Sequence, residues 1–573
     1  MKILAFDVEA DGLNEVIAGK KKTYIKEGSK IWCLSIVDIL SGDSFLFEQD
    51  NLEVGIELLR QADTIVGHNI YGFDIPFIER LYGPLNKEPF TGVIDTLILA
   101  RMMYPETPPT ADQSNSLRSW GEYLKECKSD YQGGWDAYSK EMGDYCLQDS
   151  VVTAKLYNHL TSSKYWETYS RAIKMEHVVA DMISGQVENG FSFDLDKAEN
   201  LEMELLIEKS QIEDEMRRIF PDKIIKRVSE KTGKQLKDKI EVFNPGSRQQ
   251  IAERLQEKYG WEPPETDKGN PKVDHDVLSQ LEYPEAKTLC KYFDLIKLMG
   301  QVSDWVSRAK TSRDNRIHGY VNILGTVTGR MSAKEPNMQQ VHSDPRARAL
   351  FKPRDGWVLV GSDLKGLELR MLAHYLHPYD GGTYAKEVCE GDVHTHNQKA
   401  MELESRSTAK TAIYCFLYGG GDEKFGKTIG CSTYKAKQVK NKLLSNIPGL
   451  KKLIDQCRFS TLSDGVVKPF GWRPIPVRKE HAALNTLLQS SGAHIAKAWA
   501  CVANHRLQLE VGPSNFAWVA SVHDELQLEC DPEYAHKIGN IICESATTAG
   551  DLMKCNCLIE AEYKIGNNWS ETH

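Results

Sequence analysis

Residues 519–530 read VASVHDELQLEC, an apolar alternation interrupted by His523, Asp524 and Glu525. No other stretch constrains the fold as tightly. A period of two marks strands with one buried face. Asp and Glu are poor strand formers, and adjacent like charges repel. The trio is therefore either the solvated tip of a hairpin or the place where something positive binds. On both readings the flanking runs pair as antiparallel strands.

A chain of 573 residues exceeds one core, so several compact units are expected. With 41% apolar and 27% charged residues, the composition is that of a soluble globular protein. No run approaches the roughly 18 apolar residues of a membrane span, and the start MKILAFDVEADG lacks a signal-peptide pattern. The 13 cysteines are scattered with no C-x-x-C pair, which predicts free thiols and no disulfide framework or structural zinc site. A net charge of −10 argues only weakly against nucleic-acid binding, because a groove can be basic while remote surfaces are acidic.

Residues 1–160 read as α/β, with strands at ILAFDVEA and TIVGHN and a helix through SVVTAKLYNHL. Residues 165–220 are helical. Residues 221–240 form a short basic stretch with seven Lys or Arg against three acids, read as a loop or small ribbon. FNPGSRQQIAERLQEKYG is a turn entering a helix, and helix continues to about residue 310. GWVLVGSD and FAWVASV are strands separated by a helical block from about 393 to 500.

In AFDVEADG, Asp7 and Glu9 are two residues apart on a strand, so both carboxylates share one face and Phe6 and Val8 the other. A lone D-x-E is ordinarily a solvated strand end. Here Asp74 follows in GHNIYGFDIPFI, and Tyr145 and Asp149 stand four apart on one helix face in DYCLQDSVV. This series resembles the 3′–5′ proofreading exonucleases of the DnaQ-like type. The resemblance implies that Asp7, Glu9, Asp74 and Asp149 hold two metal ions while Tyr145 orients the attacking water. Asp95 reads as a helix cap or supporting group.

In WVLVGSDLKGLELRMLAHY a buried strand runs into Asp363, a poor structural choice and a good metal ligand. RSTAKTAIYCFLYGGG places Arg406, Lys410, Tyr414 and Tyr418 at intervals of four, one slowly turning helical stripe. Two cations and two aromatics in that order suit a triphosphate, then a sugar and base. An ordinary exposed amphipathic face would look the same in isolation.

Together, D-x-x-G-L-E-L-R, R-x-x-x-K-x-x-x-Y-x-x-x-Y-G and V-H-D-E resemble the three polymerase motifs of family A DNA polymerases. GDVHTHNQKAM, HAALNTLLQSSGA and GNNWSETH extend the likeness to the replicative enzymes of T-odd podophages. The resemblance implies that Asp363, Leu364 and Asp524 hold metal, with Asp363 and Asp524 catalytic. His394, Arg406 and Lys410 would contact the triphosphate, and Lys410 would also protonate the leaving group. Glu368 would fill the space of a ribose 2′-OH and Tyr414 pack on the incoming sugar. Tyr418, Arg330, Gln489 and His523 would touch primer or template, and Ser247 and Arg248 would grip duplex phosphates.

The implied fold is an RNase H-like exonuclease followed by a right-hand polymerase, α/β and α+β. Boundaries are expected at 1–160 for the exonuclease, 165–305 for the thumb, 306–390 with 500–573 for the palm, and 391–499 for the fingers. The implied cofactors are two Mg2+ at each site, with Mn2+ as a substitute. Implied partners are primer-template DNA and dNTPs, with a phage helicase-primase and a single-strand binding protein as candidates. Expected localisation is the cytoplasm of an infected bacterium, with no 5′ nuclease domain preceding the exonuclease and no membrane contact. Thioredoxin is not expected to bind, because the docking insertion of the phage relatives is replaced by the short basic segment. Lys223, Lys226, Arg227, Lys231, Lys234, Lys237 and Lys239 of that segment suit duplex phosphates instead; a solvated loop with no role is the alternative. Among rivals, an RNA polymerase is disfavoured by Glu368, and a dead scaffold by the intact carboxylates. A repair enzyme would carry the same residues.

Overall fold

The strand Ile3–Ala10 is buried along nearly its whole length and organises the N-terminal region. It pairs antiparallel with Ile31–Asp38, which pairs antiparallel with Ser44–Glu48. On its other side it runs parallel to Thr64–Gly67, which runs parallel to Val93–Asp95. The resulting five-stranded sheet packs against the helix Lys140–Thr161. Ser139 starts that helix by accepting from the Met142 N–H at 3.1 Å, an N-cap worth about 1 kcal/mol. The computed structural model describes residues 1–11, 15–17, 20–22, 29–106, 108–126, 131–228 and 233–573.

The C-terminal sheet has four antiparallel strands in the order Phe516–Val522, Glu525–Cys530, Val358–Leu364, Ala561–Gly566. The expected hairpin at HDE is its first pair. The long helix Ala483–Glu510, buried on several sides, packs against the helices Ala535–Leu552 and Ser170–Asn189. Both sheets belong to one compact unit, residues 1–191, 318–339 and 353–573. Inside it, Lys497 and Glu176 form a buried ion pair at 2.7 Å, and Lys497 also donates to the Ile323 carbonyl at 2.8 Å. Removing either partner would strand a charge in the interior at a cost of about 3–5 kcal/mol.

A second compact unit comprises residues 192–317 and 340–352. The helices Leu195–Ile219 and Pro284–Thr311 pack side by side. Asp194 caps the first by accepting from Lys197 N–H at 3.1 Å, and Arg217 and Arg218 occupy its last turn, where carbonyls favour cations. Met216, Phe220, Phe243, Ile251, Leu255 and Leu289 form its core. The basic stretch takes the ribbon form, with Lys223–Val228 antiparallel to Gln235–Glu241 and a register shift between Leu236 and Lys239. Lys226, Arg227, Lys234, Lys237 and Lys239 are exposed on it, whereas Lys223 pairs with Glu257. Lys231 lies outside the described residues. Among the described residues no helix is long and apolar enough to cross a membrane.

Candidate active site

Asp363 stands at the end of Val358–Leu364, opposite Glu525 on one neighbouring strand and Glu562 on the other. Asp524 lies in the two-residue hairpin turn, where its carbonyl accepts from the Leu364 N–H at 3.0 Å. His523 makes the turn possible with a left-handed φ of 56°, a region His enters more readily than most residues. The structure thus brings Asp363, Leu364 and Asp524 together at one end of the sheet. Burial, then repulsion from Asp524 and Glu525, pushes Asp363 up to about 7. Burial, then Glu368, pushes Asp524 up to about 6. Two carboxylates held this close, Asp363 exposed and Asp524 half-buried, with raised proton affinity, suit a divalent cation.

The helix Arg406–Leu417 starts at Ser405, whose hydroxyl accepts from the Thr408 N–H at 3.4 Å, and buries Ala409, Ala412, Ile413 and Leu417. Arg406, Lys410 and Tyr414 occupy the other faces. Tyr418 is not helical but caps the end, where Gly419 turns the chain with φ of 74°. It still stacks on Tyr414, with ring centroids 6.5 Å apart and planes 24° from parallel. His394 lies 6.4 Å from the Tyr414 ring on the neighbouring helix Val393–Met401, and its Nδ1 is buried without a hydrogen-bond partner. Burial, then Lys410 and Arg406, lowers its proton affinity. Arg406 is held by Asp392 through two bonds, Nε to Oδ2 at 2.7 Å and Nη2 to Oδ1 at 2.9 Å. Glu368, in the first turn of the helix Leu367–Asp380, accepts from the Tyr418 hydroxyl at 2.8 Å and from Arg330 at 3.1 Å.

Gln489 is half-buried on the helix Ala483–Glu510. In the second unit, Ser247 caps the helix Arg248–Tyr259 by accepting from the Gln250 N–H at 3.4 Å, and Arg248 is exposed at its first position. Ser247 therefore has a structural task besides any ligand contact.

At the N-terminal sheet, Glu9 is buried beside half-buried Asp7, with their ligand atoms and the Cys146 sulfur all within 4.8 Å of one another. Asp74 begins the helix Asp74–Tyr82 and accepts from the Val8 N–H at 3.1 Å. Burial raises it to about 7 against hydrogen bonds that oppose the shift, with Asp95 and Asp149 adding repulsion. Asp149 is 4% exposed on the helix Lys140–Thr161, and Tyr145, one turn earlier, packs against Tyr131. Asp95 is a cap, accepting from Leu97 N–H at 2.8 Å and Asn69 N–H at 2.9 Å.

Residues 215–571 match the model of DNA polymerase family A. The sequence is 30% identical to the DNA-directed DNA polymerase of Enterobacteria phage T3 over the whole of both chains. It is also 30% identical, over the same full extent, to that of Escherichia phage T7. The chain belongs to DNA polymerase family A. Its fold is that of the POL domain of Pol1 from M. smegmatis, solved in complex with DNA primer-template and dNTP. That comparison has a TM-score of 0.80 at 19% identity and covers 99% of this chain and 96% of the other.

Several features of this family A polymerase's site escaped the sequence reading, the partners of Glu525 first among them. Glu525 accepts from Trp569 Nε1 at 2.7 Å and Gln527 Nε2 at 2.8 Å, and His573 Nδ1 lies 2.8 Å from its second oxygen. Asp392, Cys146 and Arg370 are others. Asp392 was the most findable, since an Asp two residues before His394 at a helix start is a cap signature. Two of Glu525's partners, Trp569 and His573, lie more than forty residues away and leave no local pattern.

Proposed function

We propose that this polymerase adds dNTPs to a primer 3′-OH along a DNA template and removes mispaired termini with a second, separate 3′–5′ exonuclease site. The observation that carries the reading is the convergence of Asp363 and Asp524, two carboxylates of raised proton affinity, at one end of a sheet. Asp363, Asp524 and Leu364 would hold two Mg2+ ions, with Mn2+ as a substitute. Bound there, the metal supplies charge to activate the primer hydroxyl and to stabilise the leaving pyrophosphate.

The chain's own groups do the rest. Arg406, Lys410 and His394 bind the triphosphate, with Asp392 keeping the Arg406 fork oriented until phosphate oxygens replace it. Lys410, one turn from Arg406, carries a proton to the leaving pyrophosphate. Glu368 occludes the position of a 2′-OH, while Tyr414 packs on the sugar. Tyr418, bonded to Glu368, would pack on the template base or nascent pair. Arg330, Gln489 and His523 align primer and template, and Ser247 with Arg248 contacts duplex phosphates.

For the N-terminal sheet the supporting features are the strand order, with two parallel pairs and two antiparallel ones, and the clustering of Asp7, Glu9, Asp74 and Asp149. This order fits an RNase H-like plan. Those carboxylates would hold a second pair of Mg2+ ions, and Tyr145 would orient water. The second compact unit serves as thumb, the four-stranded sheet as palm floor, and the helices between about 391 and 499 as fingers. Replication of a phage genome in the cytoplasm of an infected bacterium is the role that fits. A helicase-primase and a single-strand binding protein would be its partners. A primer-template extension assay with magnesium and dNTPs tests the polymerase reading, and release of nucleotides from a 3′-mismatched end tests the exonuclease.

A further inference from the structure

Arg370 is 3% exposed, seven residues past Asp363, and fastens the start of the helix that carries Glu368. Its Nε donates to the Lys365 carbonyl at 2.6 Å, its Nη1 to the Leu558 carbonyl, and its Nη2 to Glu560 at 2.7 Å. Lys365 N–H in turn donates to the Glu560 carbonyl at 2.9 Å. One further acceptor of this guanidinium is a sulfur. Arg370 Nη1 lies 3.4 Å from Cys389 Sγ, and Cys389 Sγ lies 3.6 Å from Cys557 Sγ.

We propose that Cys389 and Cys557 are an oxidative modification site, joined by a hydroperoxide into a disulfide that slows primer extension. The effect on extension rests on the polymerase reading above; the chemistry of the site does not. The two sulfurs are already in van der Waals contact, and the oxidised pair would join the end of the helix Thr383–Cys389 to the segment before the strand Ala561–Gly566. Cys389 is half-buried, so a small peroxide reaches it. Cys557 is buried, 3.6 Å from the Cys389 sulfur, which leaves it the second, resolving role.

In the first step Cys389 sulfur attacks the peroxide O–O bond, forming an S–O bond and releasing an alcohol, or water from hydrogen peroxide. In the second, Cys557 sulfur attacks the sulfenic sulfur and expels water. The two thiols supply the two electrons and two protons that reduce the peroxide. The product removes one hydrogen-bond acceptor from Arg370 and pulls on the turn between Asp363 and Glu368. No part of the N-terminal carboxylate cluster is touched.

The test uses the full chain, treated with hydrogen peroxide, alkylated with N-ethylmaleimide and digested without reduction. Mass spectrometry should find the Cys389 and Cys557 peptides joined and lighter by two hydrogens. The link should be lost in Cys389→Ser and Cys557→Ser and kept in Cys555→Ser. Extension by the linked protein should fall by roughly threefold or more and return with dithiothreitol, while Cys389→Ser is indifferent to peroxide and 3′ degradation is unchanged in all. Alkylated Cys389 after treatment, or its linkage to a different cysteine, would overturn the proposal. An unchanged extension rate in fully linked protein would overturn it as well.

Discussion

Asp363 and Glu525 face each other across an antiparallel strand pair and are shifted in opposite directions. Burial acts on both. Glu525 escapes its effect because His573, Trp569 and Gln527 bond to it, and its carboxyl falls below the ordinary range. Among the described residues Asp363 has no such donors, and desolvation with repulsion from Asp524 and Glu525 holds it near 7. One carboxylate is thus committed to the protein, and the other is the one we propose for the metal.

Weakening the donors should blur that division. Trp569→Phe leaves a buried Glu525 oxygen short of a donor, at a cost of about 1–3 kcal/mol in urea unfolding. It should also raise the Mg2+ concentration needed for half-maximal extension, because Glu525 becomes a competing seat for the ion. Unchanged stability together with an unchanged Mg2+ requirement would refute this account of Glu525.

Glu368 accepts from Arg330 and Tyr418 at once, so its size and its charge are separable. Glu368→Ala should raise the ratio of ribonucleotide to deoxynucleotide incorporation by about tenfold or more. Glu368→Gln keeps the volume and should keep most of the exclusion while loosening Arg330. Equal relaxation in both variants would show that steric occlusion is not the mechanism.

Acid should destabilise the compact unit that holds both sheets through His177. Asp95 N–H donates to His177 Nε2 at 3.0 Å, and His177 Nδ1 lies 2.8 Å from the Ile173 carbonyl, so the ring must be neutral with its proton on Nδ1. Burial lowers its pKa from 6.5 to about 4. Above 6.5 neither folded nor unfolded chain holds the proton. Between 6.5 and about 4 only the unfolded chain does, so stability is lost as pH falls through this window, by up to about 3 kcal/mol at its lower end. His177→Gln should reduce proton uptake on unfolding at pH 5.5 by about one, measured from the pH dependence of the unfolding free energy. An identical slope in the variant would assign the acid lability elsewhere.

What the residues disclosed beforehand was local. D-x-E, Y-x-x-x-D and the four-residue stripe encode side-chain direction through strand and helix periods, and the structure keeps those directions for Asp7, Glu9, Tyr145, Asp149, Arg406, Lys410 and Tyr414. Tyr418 departs from the stripe because the glycines after it end the helix. The pairs Glu525–His573, Arg370–Glu560 and Lys497–Glu176 could not be read, since each is made by tertiary packing between distant segments.

The basic ribbon predicts how tightly the enzyme stays on DNA. Product length per binding event should fall steeply with salt, as counterion release requires. Reversing the charges of Lys226, Arg227 and Lys239 should shorten products without altering insertion of a single nucleotide. Thioredoxin should add little. A large gain in product length on adding thioredoxin would contradict the ribbon's role.

The central claim is that two carboxylate centres, on different sheets, perform opposite reactions on one primer end. The direct measurement is parallel quantification of dNTP incorporation and 3′-nucleotide release by folded variants on one labelled primer-template. Asp363→Asn should lose extension by about a thousandfold or more, roughly 4 kcal/mol of transition-state stabilisation, and keep degradation. Asp7→Ala with Glu9→Ala should do the reverse. A comparable fall of both activities in either protein, with the fold intact by circular dichroism, would contradict the account.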